Sequence, residues 1–203
     1  MTEVRDETAV ELRLTVLGGT VAAIVDGEPR SLGGPMQRRL LAALLADAGS
    51  IVSTDRLVDS LWPEDAAPDG ARRTVMSYVS RLRSVIGADR VVGREPGYVL
   101  VLDDAAYDAA EFELTLAEAR ASHPEAAVAA YDRALGLWSG RAFGVDADEG
   151  WLRPVAARLE ELRLVALEER AEVQLSLGHH AEVVADLERG AAEQPLRERF
   201  VEL

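Results

Sequence analysis

The fold is decided by the stretch RRTVMSYVSRLRSVIGADRVVGREPGY, which runs from Arg72 to Tyr98. Its first part predicts a helix over about residues 70–86, because apolar residues recur at steps of four, three and four and therefore share one face. That apolar face consists of Val75, Val79, Leu82 and Ile86. The opposite face carries Arg and small hydroxyl side chains, namely Arg73, Ser77, Ser80 and Ser84, flanked by Thr74 and Arg81. Small side chains let a helix approach base edges closely, and Arg binds phosphate or guanine through two hydrogen bonds, so this face suits a DNA groove.

A basic hairpin is expected after this helix. Gly87 should end the helix, and two strands are predicted over Val91–Arg94 and Tyr98–Leu102. The residues 95–98 fit a type II turn, with Pro at the second place and Gly at the third. Arg94 then lies beside the turn, where it can reach a minor groove or a phosphate. A helix followed by a basic hairpin is typical of a winged helix-turn-helix, a DNA-binding fold.

Charge is unevenly distributed along the chain. The 203 residues carry a formal net charge of −14, yet residues 69–94 contain six Arg against two Asp. Residues 1–102 carry −2 and residues 103–203 carry −12. The second half should therefore repel DNA, whereas the first half can bind it through a local basic patch.

The rest of the first half predicts strands and then helices. Strands are expected over residues 12–17, 20–25 and 28–32, with Asp26-Gly27 as a two-residue hairpin turn. Helices are expected over residues 35–47 and 54–62, the second one capped by Ser53. Trp62 ends the apolar stripe of that second helix, so a role in anchoring it to the core is the simpler interpretation.

The second half predicts helices packed on helices. Their expected bounds are Asp108–Ala121, Pro124–Trp138, Trp151–Leu177, His180–Glu193 and Leu196 onward. Ala127, Tyr131 and Ala134 have the spacing at which tetratricopeptide repeats pack their second helix. A degenerate second copy is formed by Ala171, Gly178, Leu187 and Pro195. Because helical arrays need a terminal cap, we expect this domain to be truncated at its C-terminus.

Several classes of function are disfavoured by the composition. The absence of Cys excludes disulfides, thiol catalysis and thiolate zinc sites. No apolar run approaches 18 residues and the first residues are polar, so we expect a cytoplasmic, nucleoid-associated protein without membrane contact. His179 and His180 point in different directions on a helix and have no third ligand nearby in sequence, so neither a metal nor a cofactor is expected. No set of nucleophile, base and orienting residue is present, which argues against an enzyme.

Several motifs resemble those of the Streptomyces antibiotic regulatory proteins. In the first half they are QRRLLAALL (37–45), VSTDRLVDSLW (52–62), YVSRLR (78–83) and REPGY (94–98). In the second half, ALGLWSG (134–140) and LEELRL (159–164) resemble the bacterial transcriptional activator domain of that family. The resemblance implies an α+β, OmpR-like winged helix-turn-helix over residues 10–102. It further implies an all-α, tetratricopeptide-like helical repeat domain over residues 105–203.

The same resemblance implies a transcriptional activator for a secondary-metabolite gene cluster. Such proteins bind direct repeats in double-stranded DNA near promoters as side-by-side protomers, and they recruit RNA polymerase through its sigma factor and alpha subunit. By position in the OmpR-like pattern, the residues that would face the major groove are Arg73, Thr74, Ser77 and Arg81. Ser80 and Arg83 would hold backbone phosphates, and Arg94 would contact DNA from the wing. The polymerase contacts would come from the loop 62–69, with Trp62, Glu64 and Asp65 as candidates.

Three alternatives stay open. The arginines of the third helix can be a solvated face on which Arg72 or Arg83 pairs with acids. The protein can instead be a helical-repeat interaction module whose winged domain is vestigial or binds protein, as the acidic second half suggests. It can also be the front half of a larger multidomain regulator, with an ATPase or phosphopeptide-binding domain after residue 203.

Overall fold

A computed structural model describes residues 11–62, 66–102, 106–180 and 183–184. The chain divides into two compact units. The first comprises the chain up to residue 16 together with residues 20–108, and the second comprises residues 17–19 and those from 109 onward. In the part of the chain that the structure describes, every helix is too short or too polar to span a membrane.

The first unit begins with a three-stranded antiparallel sheet. Its strands are β1 (Leu12–Thr15), β2 (Ala22–Val25) and β3 (Glu28–Arg30), in the order β1-β2-β3. Asp26 and Gly27 both have a positive φ, at 53° and 77°, which confirms the predicted two-residue hairpin turn. A buried carboxylate ties the end of β1 in place, because Asp108 accepts a hydrogen bond from the backbone N–H of Val16 at 2.9 Å.

Three helices follow the sheet and form the core of the first unit. They are α1 (Pro35–Ala46), α2 (Thr54–Leu61) and α3 (Ala71–Ile86). Ser53 caps α2 as predicted, since its side chain accepts a hydrogen bond from the backbone N–H of Arg56 at 3.2 Å. Gly87, with φ at 104°, ends α3. The predicted apolar face of α3 is confirmed, because Val75, Val79, Leu82 and Ile86 are all buried.

The wing is part of a second three-stranded sheet. It contains β4 (Val52–Ser53), β5 (Val91–Arg94) and β6 (Gly97–Leu100), in the order β4-β6-β5. The sequence pattern did not predict β4, because two residues are too few to show a period. Glycine at position 97 is required by this sheet. A Cβ there would overlap the carbonyl of Val52 and lie 2.7 Å from the Cα of Ser53.

The predicted type II turn in the wing is wrong. Arg94 pairs with Gly97, so Glu95 and Pro96 are the two loop residues, and the peptide bond between them is cis. This places proline third in the turn, as in type VI, instead of second. Gly97 therefore lies in β6 and serves the close approach of β4, not the turn.

The second unit consists of helices, and the connection before its last long helix spans residues 136–152. They are α4 (Asp108–Ala121), α5 (Pro124–Leu135) and α6 (Arg153–Ser176), with a 3₁₀ helix at Gly144–Asp148. The bounds of α4 are as predicted, whereas α5 stops before Trp138 because the chain turns at Gly136. The predicted helix over residues 180–193 is described only at residues 180 and 183–184, which are helical, and the one from 196 onward lies outside the described residues.

Ion pairs and aromatic packing join these helices. Trp138 packs edge-on against Phe112, with ring centroids 5.4 Å apart and planes at 84°. Three cross-helix ion pairs connect α4 with its neighbours: Arg120–Glu169 at 2.9 Å, Arg133–Glu118 at 2.7 Å and Arg158–Glu113 at 2.7 Å. Ala127, Tyr131 and Ala134 are buried on α5, as the repeat-like spacing predicted. The acidic second half is therefore a packed helical unit.

Candidate nucleic-acid interface

The outer face of α3 is a polar ridge. Burial of its apolar face turns the opposite side of the helix to solvent, where Arg73, Ser77, Ser80 and Arg81 are all exposed. Thr74, on the flank, is half-buried. The structure thus brings together the residues that were predicted to face the major groove, and Ser80 lies on the same surface, as the helical spacing predicted.

The first turn of α3 has an unusual charge for a helix. It holds Arg72 and Arg73 and no acidic residue, although the N-terminal end of a helix dipole is positive and favours acids. Gly70, with φ at 82°, precedes the helix and provides no side-chain cap. Two arginines at the positive end of a helix dipole weaken the isolated helix, but they produce a strong local attraction for an anion such as a phosphate.

Arg72 forms an ion pair with Asp55 in the first turn of α2. Both side chains are about two-thirds exposed, at 68% and 67%. Exposed ion pairs contribute only about 0–1 kcal/mol, so a phosphate oxygen can replace Asp55 at small cost. Arg72 therefore remains able to contribute positive charge to this surface.

Arg83 connects α3 with the wing. Its Nε donates a hydrogen bond to the carbonyl oxygen of Val91 at 2.8 Å, and its guanidinium carbon lies 5.9 Å from the centroid of the Tyr98 ring. Both side chains are half-buried. Arg83 is thus built into the junction of helix and hairpin, with Tyr98 packed at the same place. Its predicted contact with a phosphate stays a prediction.

The wing is also attached to α2. The backbone N–H and the hydroxyl of Thr54 both donate hydrogen bonds to the carbonyl oxygen of Pro96, at 3.1 and 3.2 Å. Between the wing and α3 lies a cleft of about 470 Å³, and its lining includes Arg72, Met76 and Arg94. Arg94 is exposed at the last position of β5. The hairpin therefore holds its Arg next to the polar ridge of α3.

Three arginines of this surface are not neutralised within the described residues. Arg73, Arg81 and Arg94 form no ion pair with any residue that the structure describes. In the second unit, by contrast, four exposed arginines of the described residues pair with carboxylates, namely Arg120, Arg133, Arg141 and Arg158. Although the chain has a net charge of −14, this surface leaves positive charge available to an external anion.

Two domain families match the chain. Residues 28–107 match the model of the transcriptional regulatory protein C-terminal domain, and residues 107–203 match the bacterial transcriptional activator domain. The regulatory protein AfsR of Streptomyces griseus is 41% identical over 97% of this chain and 20% of its own length. The chain belongs to the Streptomyces antibiotic regulatory protein family.

Mycobacterial relatives extend the comparison. The transcriptional regulatory protein EmbR of Mycobacterium tuberculosis is 34% identical over 93% of this chain and 51% of its own length. A solved structure of M. tuberculosis EmbR in complex with a low-affinity phosphopeptide has a TM-score of 0.86 and 30% identity, covering 94% of this chain and 52% of that one. The chain thus spans about a fifth of AfsR and about half of EmbR. The predicted fold class, an OmpR-like winged helix-turn-helix followed by a helical domain, is confirmed.

The polymerase candidates of this family member are only partly described. Trp62 is half-buried at the end of α2, where its backbone N–H donates to the carbonyl oxygen of Val58 at 3.0 Å. Glu64 and Asp65 lie outside the described residues. Their contact with polymerase stays a prediction.

The structure also adds residues that the sequence motifs of the family did not single out. Met76 is 59% exposed on α3, and Thr54 holds the tip of the wing. The sequence could have indicated Met76, because it is an apolar residue among Arg and Ser on the polar face of the helix. The contact of Thr54 with the wing could not be predicted from local sequence, because its partner Pro96 is 42 residues away. His179 and His180 are exposed. Within the described residues, the structure contains no cluster of three or more His, Asp or Glu side chains that could hold a metal ion.

Proposed function

We propose that this protein is a sequence-specific DNA-binding transcriptional activator of a secondary-metabolite gene cluster. Residues 10–102 form its DNA-binding domain and residues 105–203 its activator domain. It binds direct repeats near promoters as side-by-side protomers, and it recruits RNA polymerase through the sigma factor and the alpha subunit. The observation that carries the proposal is that Arg73, Arg81 and Arg94, on α3 and the wing, form no ion pair with any residue that the structure describes.

The geometry of α3 supports insertion into the major groove. An α-helix fits that groove, and short side chains such as Ser77 and Ser80 allow its backbone to come close to the bases. Arg81 then reads a base edge with two hydrogen bonds, and Arg73 and Thr74 lie beside it on the same surface. Arg94 projects from the wing toward the minor groove or an adjacent phosphate.

The backbone contacts are assigned to residues near the edges of this surface. Ser80 donates its hydroxyl hydrogen to a phosphate oxygen, and Arg83 presents the guanidinium nitrogens that do not bind Val91. These contacts hold the register of the helix on the duplex without carrying sequence information. The base contacts of Arg81 then decide which sequence is bound.

Salt dependence tests the electrostatic part of the proposal. With on the order of five phosphate contacts per protomer, affinity for a duplex should fall by roughly 500-fold between about 50 and 200 mM monovalent salt. Measured by fluorescence anisotropy, an affinity that stays constant over this range would argue against a surface built to bind phosphates.

A genomic DNA pull-down with sequencing tests sequence specificity. The wild-type protein should enrich one short direct repeat, and Arg81→Ala should lose that enrichment. The matched control is Arg30→Ala, which removes an exposed arginine from β3, a strand of the first sheet and not of the wing sheet. Equal enrichment by wild type and Arg81→Ala would refute the assignment of Arg81 as the base-reading residue.

Polymerase recruitment needs a separate assay. On a promoter that carries the enriched repeat, the protein should increase transcription by purified RNA polymerase holoenzyme. A Trp62→Ala, Glu64→Ala, Asp65→Ala variant should bind DNA with unchanged affinity and yet lose the stimulation. A triple variant that stimulates as well as the wild type would place the polymerase contact elsewhere.

A further inference from the structure

Met76 is an apolar residue on a helix face that is otherwise polar. Its side chain is 59% exposed, whereas every other exposed side chain of α3, a helix described along its whole length, is Arg or Ser. A Met in water forgoes the hydrophobic stabilisation that burial would give it. Within the described residues, the fold of the first unit therefore leaves more than half of this apolar side chain exposed to solvent.

The neighbours of Met76 indicate which kind of partner can cover it. Arg72 lies one helical turn before it and Ser80 one turn after it, so all three share a strip of α3. Met76 also lines the cleft between α3 and the wing, together with Arg72 and Arg94. Glu95 is the acidic residue in that lining. A surface with two arginines beside an exposed Met side chain suits a polyanion that presents a small apolar group.

Double-stranded DNA is such a polyanion. The apolar group that it exposes in the major groove is the C5-methyl group of thymine. Methionine is unbranched and polarizable, so it can adapt its side chain to a methyl group at the edge of a base pair. Met76 lies three residues after Arg73 on the same helix, and Arg73 is assigned to the major groove, so Met76 can reach a base edge in the same complex.

We propose that Met76 is a specificity-determining residue that recognises one thymine in each half of the DNA site by packing against its 5-methyl group. This inference rests on the proposed DNA-binding function and adds a named base to it. It gives α3 two kinds of readout, with hydrogen bonds from Arg81 and an apolar contact from Met76.

Replacement of thymine by deoxyuridine tests the proposal, because deoxyuridine lacks only the 5-methyl group. The probe is the duplex that the full chain selects from a random-sequence library, with each thymine of one half-site replaced in turn. For the wild type, one replacement should weaken binding by roughly fourfold, the loss expected for one buried methyl group. In Met76→Ala the same replacement should have no effect, whereas Met76→Leu should keep the sensitivity.

The control variant is Leu114→Ala. Leu114 is 54% exposed, close to the value for Met76, but it lies on α4 in the second unit. This variant should reproduce the wild-type pattern of thymine sensitivity. The proposal is overturned if no single replacement weakens the wild type, or if the sensitive thymine remains equally sensitive in Met76→Ala. Both of those results leave DNA binding intact. A chain that selects no sequence and shifts no duplex at low salt would overturn the proposed function and this inference together.

Discussion

Arg83 should hold the wing in place, and its replacement by Met should release the hairpin without unfolding the helix. The substitution keeps a long apolar stem but removes the hydrogen bond to the Val91 carbonyl, 2.8 Å in length, and the guanidinium beside the Tyr98 ring. A hydrogen bond with a charged donor contributes about 1.5–3 kcal/mol, and an exposed cation–π contact about 0.5–1 kcal/mol. Because both side chains are only half-buried, we expect a loss of about 2 kcal/mol, near the lower end of that sum.

Hydrogen exchange measured by mass spectrometry can localise this loss. A local destabilisation of about 2 kcal/mol corresponds to a roughly 30-fold faster exchange of amides that open with the wing. The effect should appear in peptides that cover residues 87–102 and not in peptides from α1. Arg81→Met is the matched control, since Arg81 lies on the same helix, is exposed and should affect DNA binding but not wing exchange.

Two results would refute this reasoning. Wing exchange that changes by less than about threefold in Arg83→Met would mean that the contact with Val91 does not hold the hairpin. Equal acceleration in Arg81→Met would mean that loss of positive charge, and not loss of the anchoring contact, controls wing stability.

Three further predictions concern stability. Gly97→Ala should destabilise the first unit by about 1–3 kcal/mol, because the added methyl group overpacks against β4. Gly93→Ala should be nearly neutral, because a Cβ at that position meets no atom within 4 Å. Equal urea unfolding midpoints for the two variants would contradict this prediction. Ser53→Ala should cost about 1 kcal/mol in urea unfolding through loss of the cap, and an unchanged midpoint would show that the cap does not matter. Burial and the Glu169 carboxylate raise the pKa of Tyr131 from 10.0 to about 12. The unfolded chain then loses this proton first, so stability should be full below about pH 10 and should fall as the pH rises toward 12. When stability is measured by urea unfolding at each pH, Tyr131→Phe should show a smaller loss of stability between about pH 10 and 12. If the variant loses as much stability as the wild type over this range, the raised pKa of Tyr131 is not the cause of the loss.

The helices were predictable because their signals are local. The apolar spacing of α3 places Val79 and Leu82 on one face, and this spacing needs no knowledge of the partner helices. The same period places Arg73 and Ser77 outward, so most of the candidate site followed from the sequence. The resemblance to a family then indicated which outward residues face the groove.

The features that the sequence did not predict depend on contacts between distant residues. The glycine at 97 fits a type II turn locally, but the approach of β4, 44 residues earlier at Ser53, requires it in a strand. The hydrogen bond from Arg83 to the Val91 carbonyl could not be predicted from the sequence either, because every residue has a backbone carbonyl that can accept it. The exposure of Met76 could be measured only once the helix had its final orientation.

The anchoring of the wing by Thr54 has a consequence for the thermodynamics of complex formation. Fixing the backbone of one residue costs about 1–2 kcal/mol of conformational entropy, so a flexible hairpin would lose several kcal/mol of binding free energy when it became ordered on a duplex. Here the Pro96 carbonyl already accepts two hydrogen bonds from Thr54, and this cost is met during folding. The heat-capacity change on association should then reflect surface burial alone, without a contribution from coupled folding. The hairpin meets the double helix as a preorganised arm, held to α2 by Thr54 and to α3 by Arg83.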